Sequence, residues 1–282
     1  MPSSPTVRRR RLASLMKELR EAAGRTREEA ARHAGIAAIT ISRIETAKHG
    51  PKAADILTLA RFYGLDDEQA EDLATLARQS RIKGWWNQHG EAIPRWFEVY
   101  VGLEEEVSEL RSYQPEAVFG LFQTESYVRA LMGSEFALAP EELDRRVSVR
   151  MRRQNRLVEA DAPKIWIVLN EAVLRRKVGG AEVMKAQLEH LAELALSSNI
   201  VIQVLTFDAG AHPAVDGAFH ILGFPEPFDP DVTYVQYRLG GIYLEELGQV
   251  REYAEVFNHL RARSLGPDES RTLILRIAAE MT

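Results

Sequence analysis

Cysteine is absent from this sequence of 282 residues. Its absence excludes disulfide bonds, thiolate nucleophiles and zinc sites with cysteine ligands, and it fits a reducing compartment. No run of about 18 apolar residues is present, and the arginines near the N-terminus are not followed by an apolar stretch of about 7 to 15 residues. The sequence therefore predicts a cytoplasmic protein with neither a membrane span nor a secretory signal peptide.

The motifs of common active sites are also missing. The sequence contains no His-Glu-x-x-His pair, no Gly-x-Ser-x-Gly elbow and no Walker loop, which argues against a metal site, a cofactor and an enzyme. Polar residues at the ends of predicted strands remain, and Glu171 and His212 are the candidates for a ligand pocket. The alternative is that both are ordinary polar residues of loops. The glycine pair after Val178 is interpreted as a loop rather than an anion site.

Two short helices joined by a tight turn are predicted near the N-terminus. Thr26 and Glu29 match a capping box, in which each side chain accepts a hydrogen bond from the other residue's backbone amide. A helix is therefore expected to begin at Arg27. It should end near His33, because Gly35 can adopt the positive φ of a left-handed turn.

The second of these helices is predicted over residues 37–46 and has two unlike faces. At about 100° per residue, the apolar side consists of Ala37, Ile41 and Ile44. The opposite side consists of Ala38, Ile39, Ser42, Arg43 and Thr46. That side has no carboxylate to repel phosphate, so the two helices are interpreted as a helix-turn-helix that reads a DNA major groove. An ordinary helical bundle without a ligand is the alternative.

An ion pair is predicted between this reading helix and the helix that precedes the motif. The preceding helix ends at Gly24 and carries an apolar stripe formed by Leu12, Leu15, Met16, Leu19 and Ala23. Glu45 lies beside the buried side of the reading helix, and Arg20 is its expected partner. Two further apolar stripes, over 53–63 and 70–77, complete a predicted domain of five helices.

This pattern resembles the DNA-binding domain of phage-repressor-like regulators of the Xre or Cro/C1 type, above all in Thr-Ile-Ser-Arg-Ile-Glu at 40–45. The resemblance implies that Arg27 contacts phosphate and that Arg43 reads guanine through a bidentate contact. The expected DNA-binding residues are Arg27, Ala38, Ile39, Thr40, Ser42, Arg43 and Lys48. The family usually caps the reading helix with Ser or Thr, whereas this sequence has Ala37.

Positive charge is concentrated in the same part of the chain. Residues 1–52 hold 12 lysines and arginines against 5 glutamates, a net charge of +7, whereas the whole chain carries −5, so the rest carries −12. A run of four arginines, Arg8 to Arg11, precedes the first predicted helix. Two interpretations stay open: an arm that follows DNA phosphates, or a solvated and disordered N-terminus.

A polar stretch that contains Trp85 and Trp86 separates two predicted domains. Tryptophans are unusual in a freely flexible linker, so the stretch is expected to pack on the second domain or on another subunit. An aromatic platform for nucleic acid is the alternative. The predicted division is a helix-turn-helix domain over 1–78, a packed linker over 79–95, and a sensing, partner-binding or dimerisation domain over 96–282.

The second domain is predicted to be α+β or α/β. Helices are expected over 96–110, 124–132, 140–158, 181–196, 247–264 and 267–281. Strands are expected over 163–169, 199–207, 217–224 and 232–238, where β-branched runs are bounded by turn residues. Gly240-Gly241 is expected to form a hairpin turn. The six arginines of helix 140–158 are interpreted as a salt-bridged surface rather than a second nucleic-acid surface.

Segments of the second domain resemble WhiJ-like actinobacterial regulators. Among them are Trp85-Trp86, Tyr113-Gln-Pro-Glu, Val118-Phe-Gly-Leu-Phe-Gln-Thr and Gly210-Ala-His-Pro. The resemblance covers nearly the whole chain. It implies a transcription regulator of development or secondary metabolism, whose second domain responds to a partner such as a small acidic protein, or to a ligand.

The favoured hypothesis is a transcriptional regulator that binds double-stranded DNA as a homodimer, because one short reading helix covers only a few base pairs. Two alternatives stay open. One is an antitoxin-like autoregulator that neutralises a partner protein. The other is a DNA-tethered enzyme, which needs Glu171 and His212 in one pocket.

Overall fold

The computed structural model describes residues 5–48, 50–81, 84–86, 93–134, 138–225 and 229–282. The chain forms two compact units: a helical unit of residues 1–88 with 226–229, and a sheet unit of residues 89–225 and 230–282. Five helices followed by helices around a mixed six-stranded sheet confirm the predicted multidomain layout. The domain limits at 78 and 95 remain predictions. Among the described residues, no helix is long and apolar enough to cross a membrane.

The helical unit is built from five helices with one shared core. They are α1 (Pro5–Ala22), α2 (Arg27–Ala34), α3 (Ala38–Glu45), α4 (Ala53–Phe62) and α5 (Asp67–Gln79). Their predicted apolar stripes meet in this core, whose most buried large side chains include Leu12, Met16, Ile41, Ile44 and Ile56. Each such side chain contributes about 1.5–3 kcal/mol to stability through the apolar area it removes from water.

Local caps define both ends of α2, whereas α3 begins without a side-chain cap. The Glu29 amide donates to Thr26 Oγ1 at 3.1 Å, and the Thr26 amide donates to Glu29 Oε2 at 2.8 Å. The pKa of Glu29 is lowered because the Thr26 amide, and also the Thr26 hydroxyl, donate to its carboxylate and stabilise the charged form. Gly35 ends α2 with a φ of 66°. Ala37 precedes α3 without a side-chain cap and is exposed, so its placement on the buried side was wrong: its extended backbone lies outside the helical wheel.

The run Arg8 to Arg11 lies inside α1, because that helix already begins at Pro5. Arg8 is buried and its Nη1 donates to the carbonyl of Gln79, while Arg9 Nη2 donates to the carbonyl of Ser80 at 3.2 Å. Cations are favourable beside the carbonyls that end a helix, here α5. Both interpretations of the run, a phosphate-following arm and a disordered N-terminus, were therefore wrong.

The tryptophans of the predicted linker belong to the helical unit. Trp86 is buried, and its ring meets that of Trp85 edge to face, with centroids 6.0 Å apart. Residues 82–83 and 87–92 of the linker lie outside the described residues.

The sheet unit contains six strands and seven helices in its described residues. The strands are β1 (Glu109–Gln114), β2 (Lys164–Asn170), β3 (Ile200–Leu205), β4 (Phe219–Gly223), β5 (Val232–Tyr237) and β6 (Gly240–Leu244). The helices are α6 (Arg95–Glu104), α7 (Glu125–Gly133), α8 (Pro140–Gln154), α9 (Glu171–Arg175), α10 (Ala181–Leu194), α11 (Leu247–Arg263) and α12 (Pro267–Glu280). The strand order is β3-β2-β1-β4-β5-β6, in which β1, β2 and β3 are parallel and the other pairings are antiparallel.

Strand β1 lies at the centre of the sheet, where the sequence predicted a helix to residue 110. It pairs with β2 in the register Leu110↔Ile165 and with β4 in the register Leu110↔Leu222. Its polar residues concealed the strand, and their partners are distant in the sequence. Ser112 Oγ donates to the carbonyl of Phe219 at 2.7 Å, for example.

The hairpin turn between β5 and β6 lies at residues 238–239 and not at the two glycines, which belong to β6. Gly241 is needed for close approach rather than for turning. A Cβ at this position would lie 2.3 Å from the Tyr234 ring, which packs over the strand.

The two faces of the sheet are covered by different helices. Helix α11 contacts β1, β3, β4 and β5 on one face. The buried side chains of that layer include Tyr113, Val168, Phe219, Phe257 and Leu260. Neighbouring residues of a strand point to opposite faces, so His220 lies on the other face. There its ring contacts Tyr100 of α6 and Tyr234 of β5.

Candidate nucleic-acid interface

The outward face of α3 is the candidate interface. Arg43 is exposed and the Ile39 side chain is 58 % exposed, although isoleucine is usually buried. Thr40 and Ser42 are half-buried. Ala38 is partly buried against the core, so it presents little more than its methyl group to a partner. This surface combines one cation, hydroxyl groups and apolar groups.

Glu45 ties α3 to the two preceding helices. Arg20 Nε donates to Glu45 Oε1 at 2.6 Å, and Arg20 Nη2 donates to Oε2 at 3.3 Å. Arg27 Nε donates to the same Oε2 at 2.8 Å. The structure thus brings together Arg20 and Glu45, as expected, and adds Arg27. The hydrogen bonds that Arg20 donates to Glu45 raise the pKa of Arg20.

Tyr63 is buried and lies within electrostatic range of this ion cluster. Burial, assisted by the negative charge of Glu45, raises the pKa of Tyr63 to about 12. The phenol is therefore neutral at physiological pH and adds no charge near the Glu45 carboxylate. The cluster fixes the position of the C-terminal end of α3, next to the reading residues.

Arg27 has two roles available to it in this geometry. Its Nε is bound to Glu45, yet 43 % of its side chain remains exposed at the start of α2. A guanidinium carries five N–H donors in a fixed fork, so an arginine held at Nε can still donate its terminal N–H groups to a phosphate. No local pattern in the sequence indicates the Arg27–Glu45 pair, because the residues are 18 positions apart.

The segment after α3 keeps a second cation near the reading face. Lys48 is exposed, and its amide donates to the carbonyl of Arg43 at 3.0 Å. Ala47 adopts a φ of 55°, a left-handed conformation that is uncommon for a residue with a Cβ. The hydroxyl of Thr46 donates to the carbonyl of Ser42 at 2.8 Å and is therefore already committed. Arg43 and Lys48 are the cationic groups at this end of the helix.

Glu171 and His212, the candidates for an enzymatic pocket, contact different partners. Glu171 accepts from Arg175 Nε at 2.6 Å and from the Phe207 amide at 3.0 Å. His212 lies 3.4 Å from the hydroxyl of Tyr113. Glu171 lines a cavity beside α12, and His212 is not among the residues that line it. Among the described residues, no group of three or more His, Asp or Glu could hold a metal ion.

A buried polar network in the sheet unit was missed by sequence reasoning. Tyr100 Oη lies 2.9 Å from His220 Nδ1, and Gln114 Nε2 lies 3.3 Å from His220 Nε2. An amide nitrogen only donates, so Nε2 accepts and Nδ1 carries the proton. The ring keeps a small accessible area, but burial and the nearby Arg153 lower the pKa of His220 to about 3. His220 is therefore neutral at physiological pH.

A buried ion pair lies beside this network. Arg153 Nε and Nη2 donate to the two carboxylate oxygens of Glu104 at 2.7 and 2.8 Å. The guanidinium also lies over the rings of Phe97 and Tyr100, at 5.0 and 5.6 Å from their centroids. This bidentate, stacked geometry is one that arginine provides and lysine does not.

Comparison with known protein families gives two matches. A family model described as a helix-turn-helix domain matches residues 11–73, and one described as a domain of unknown function (DUF5753) matches residues 97–276. No curated protein and no solved structure matches the chain. The first match covers α1 from residue 11 onwards, all of α2 to α4 and the first half of α5, and it includes the reading face.

Proposed function

We propose that this chain, which belongs to the DUF5753 family and carries a helix-turn-helix domain over residues 11–73, is a sequence-specific transcriptional regulator of the Xre and WhiJ-like type. The helix-turn-helix domain supports a DNA-binding regulator. The observation that carries the finer proposal is the outward face of α3, where Arg43 and Ile39 are exposed while the only carboxylate of the helix, Glu45, is buried.

The proposed reading centres on Arg43. Its guanidinium is the side chain of α3 that can donate two hydrogen bonds to O6 and N7 of guanine, and Ile39 can contact a thymine methyl group. Ala38 allows the helix to approach the bases closely, and Thr40 and Ser42 lie near the backbone. Arg27 and Lys48 are assigned to phosphates, which position the domain without specifying sequence.

The test compares Arg43→Ala with the wild-type protein on DNA. The operator is first located by footprinting on the DNA upstream of the protein's own gene. Loss of Arg43 is expected to cost about 1–3 kcal/mol of discrimination at one or two base pairs, measured as affinity for the operator, for single-base variants and for a random duplex. Arg78→Ala on α5 is the matched control, since this exposed arginine pairs with Glu71.

Equal losses of affinity on operator and random DNA would remove Arg43 from base reading. Absence of any duplex binding by the wild-type protein at low ionic strength would overturn the regulator itself. Unchanged behaviour of Arg43→Ala and Arg78→Ala on every duplex would assign the readout to other residues.

We also propose that the regulator acts as a homodimer. The reading helix is eight residues long, and two half-sites raise affinity through effective concentration. The β5–β6 hairpin supplies the proposed contact, since Tyr237, Leu239 and Ile242 are exposed and β6 is the last strand of the sheet. Light scattering measures the molar mass of the protein alone and of its complex with a duplex that carries two half-sites. A monomer under both conditions would contradict the proposed homodimer.

The sheet unit is proposed to control DNA binding through a ligand or a partner protein, and we assign no reaction to it. Its family match carries no stated activity. The antitoxin-like alternative differs from this proposal in the partner alone, and purification of native complexes distinguishes the two. An enzyme built on Glu171 and His212 needs a shared pocket, whereas these side chains contact different partners.

A further inference from the structure

The arginines of α8 are separated by the fold into distinct groups. Arg145 and Arg152 are exposed, and Arg156, just beyond the helix, is buried and pairs with Asp161 at 2.9 Å. The remaining three, Arg146, Arg150 and Arg153, are spaced by four and three residues and so lie on one face of the helix. These three line one cavity of about 330 Å³ in the sheet unit.

The lining of this arginine cavity combines basic and apolar side chains. Arg238, at the turn between β5 and β6, adds a fourth guanidinium to its lining. Trp96, Phe97, Met132 and Val149 supply the apolar wall. No carboxylate is among the lining residues that the structure describes. A cavity with this composition favours a molecule that carries both negative charge and a flat apolar part.

The three guanidinium groups from α8 are held in place before any ligand arrives. Glu104 holds Arg153 with two hydrogen bonds, and the ring of Phe97 lies 5.0 Å from its central carbon. Glu142 accepts from Arg146 at 2.5 Å. Arg150 Nη1 donates to Gln123 Oε1, and this hydrogen bond orients the guanidinium. Side chains that are already ordered lose less entropy when a ligand binds.

We propose that the arginine cavity binds a small organic anion with an aromatic or similarly flat apolar part, such as an aromatic carboxylate, sulfonate or phosphate. The volume lies near the lower end of the range for ligand sites, about 300–1,000 Å³, so the ligand is small. The inference deepens the proposed function, on which it rests, by naming the class of ligand to which the sheet unit responds.

The cavity also includes the residues through which the chain enters the sheet unit. Ile93 and Pro94 precede α6, and Trp96 and Phe97 lie in its first turn. An occupant therefore contacts the stretch that follows the linker directly. A change in the order of this stretch is the means by which we expect occupancy to affect DNA binding.

The test uses the full-length protein and two fluorescent probes that differ in charge. 1-Anilinonaphthalene-8-sulfonate carries a sulfonate, and N-phenyl-1-naphthylamine is its neutral counterpart. Saturable binding of the sulfonate is expected, with an affinity about tenfold lower in Arg150→Gln because a charge-assisted hydrogen bond is lost. Arg238→Gln is a change at an exposed turn that leaves the core intact, and it is expected to lower the affinity for the sulfonate probe about threefold.

Arg145→Gln is the matched control, because Arg145 lies on the same helix and does not line the cavity. It should bind both probes as the wild type does, and the neutral probe should be insensitive to all three changes. No saturable sulfonate binding, equal losses for both probes, or unchanged sulfonate affinity in both Arg150→Gln and Arg238→Gln would overturn the proposal.

Duplex binding at low salt is measured on the same samples. Intact DNA binding without charge-selective probe binding rejects the arginine cavity alone. If probe binding depends on Arg150 but the protein does not bind DNA, the result supports the proposed ligand site in the arginine cavity and rejects the proposed function as a transcriptional regulator.

Discussion

Glu45 in the helical unit and Glu104 in the sheet unit are both buried carboxylates held by arginine, yet their partners differ in exposure. Arg153 and Glu104 are each 4 % exposed at the side chain, and the Arg153 guanidinium lies over the rings of Phe97 and Tyr100. Glu45 shares its charge between a buried Arg20 and a largely exposed Arg27. The enclosed pair, Arg153 with Glu104, is suited to a structural role. The open cluster, Glu45 with Arg20 and Arg27, leaves Arg27 accessible to a partner.

The largest expected effect is the loss of the enclosed pair. Glu104→Gln leaves the Arg153 guanidinium buried without its counter-charge, which costs about 3–5 kcal/mol. The free energy of unfolding, measured by urea denaturation, and the hydrogen-exchange protection of β2 report this loss. The double change Glu104→Leu with Arg153→Met removes both charges and is expected to recover much of the stability. Equal instability of the single and double variants would contradict a charge-based cause.

Removal of the open cluster is expected to cost less. Glu45→Gln strands the buried Arg20 but leaves Arg27 in contact with water, so we expect about 3 kcal/mol, at the lower end of the range for buried pairs. The free energy of unfolding measures this cost, and the backbone amides of α3 should exchange hydrogen faster in Glu45→Gln than in the wild type. Glu71→Gln on α5 is the control, because its partner Arg78 is exposed. A loss at Glu45 no greater than at Glu71 would place the cluster among ordinary surface pairs.

The neutral histidine beside the enclosed pair, His220, predicts a pH dependence of stability. The folded state holds the pKa of His220 at about 3, below the value of about 6.5 in an unfolded chain. The unfolded state thus binds the proton more readily. As the pH falls from 6.5 to 3, the free energy of unfolding therefore decreases by about 1.4 kcal/mol per pH unit. His220→Gln should flatten this part of the stability curve, and His259→Gln, at an exposed position, should not. An unchanged slope in His220→Gln rejects the assignment.

Arg27→Ala gives the smallest expected change in stability, below about 1 kcal/mol, because its partner retains Arg20. It should weaken binding to all DNA sequences alike and reduce the slope of log affinity against log salt by about 1. Affinities at several salt concentrations, on operator and random duplexes, measure this. Selective loss on the operator would instead make Arg27 a base-reading residue.

The sequence was most informative where structure depends on near neighbours. The capping box of Thr26 and Glu29, the turn at Gly35 and the apolar stripes of the helical unit all depend on residues within a few positions. Strand β1 was not predicted, because its stability comes from β2 and β4, more than fifty positions away.

The same limit applies to the candidate sites. The Arg20–Glu45 pair followed from helix faces, but the contribution of Arg27 depends on how α2 is oriented against α3. The arginines of α8 were visible as a cluster. Their division into exposed, buried and cavity-lining groups depends on α6 and on the β5–β6 turn, which the local pattern does not reveal.

The central position of β1 has a consequence for how the protein is made. Its partner β4 lies more than one hundred residues later in the chain, so the sheet cannot close until most of the polypeptide has left the ribosome. Contacts of such long range fold slowly, and domains generally form in order of synthesis. We therefore expect nascent chains to acquire the helical unit first and to expose unpaired strands for some time afterwards, when chaperones have most to protect.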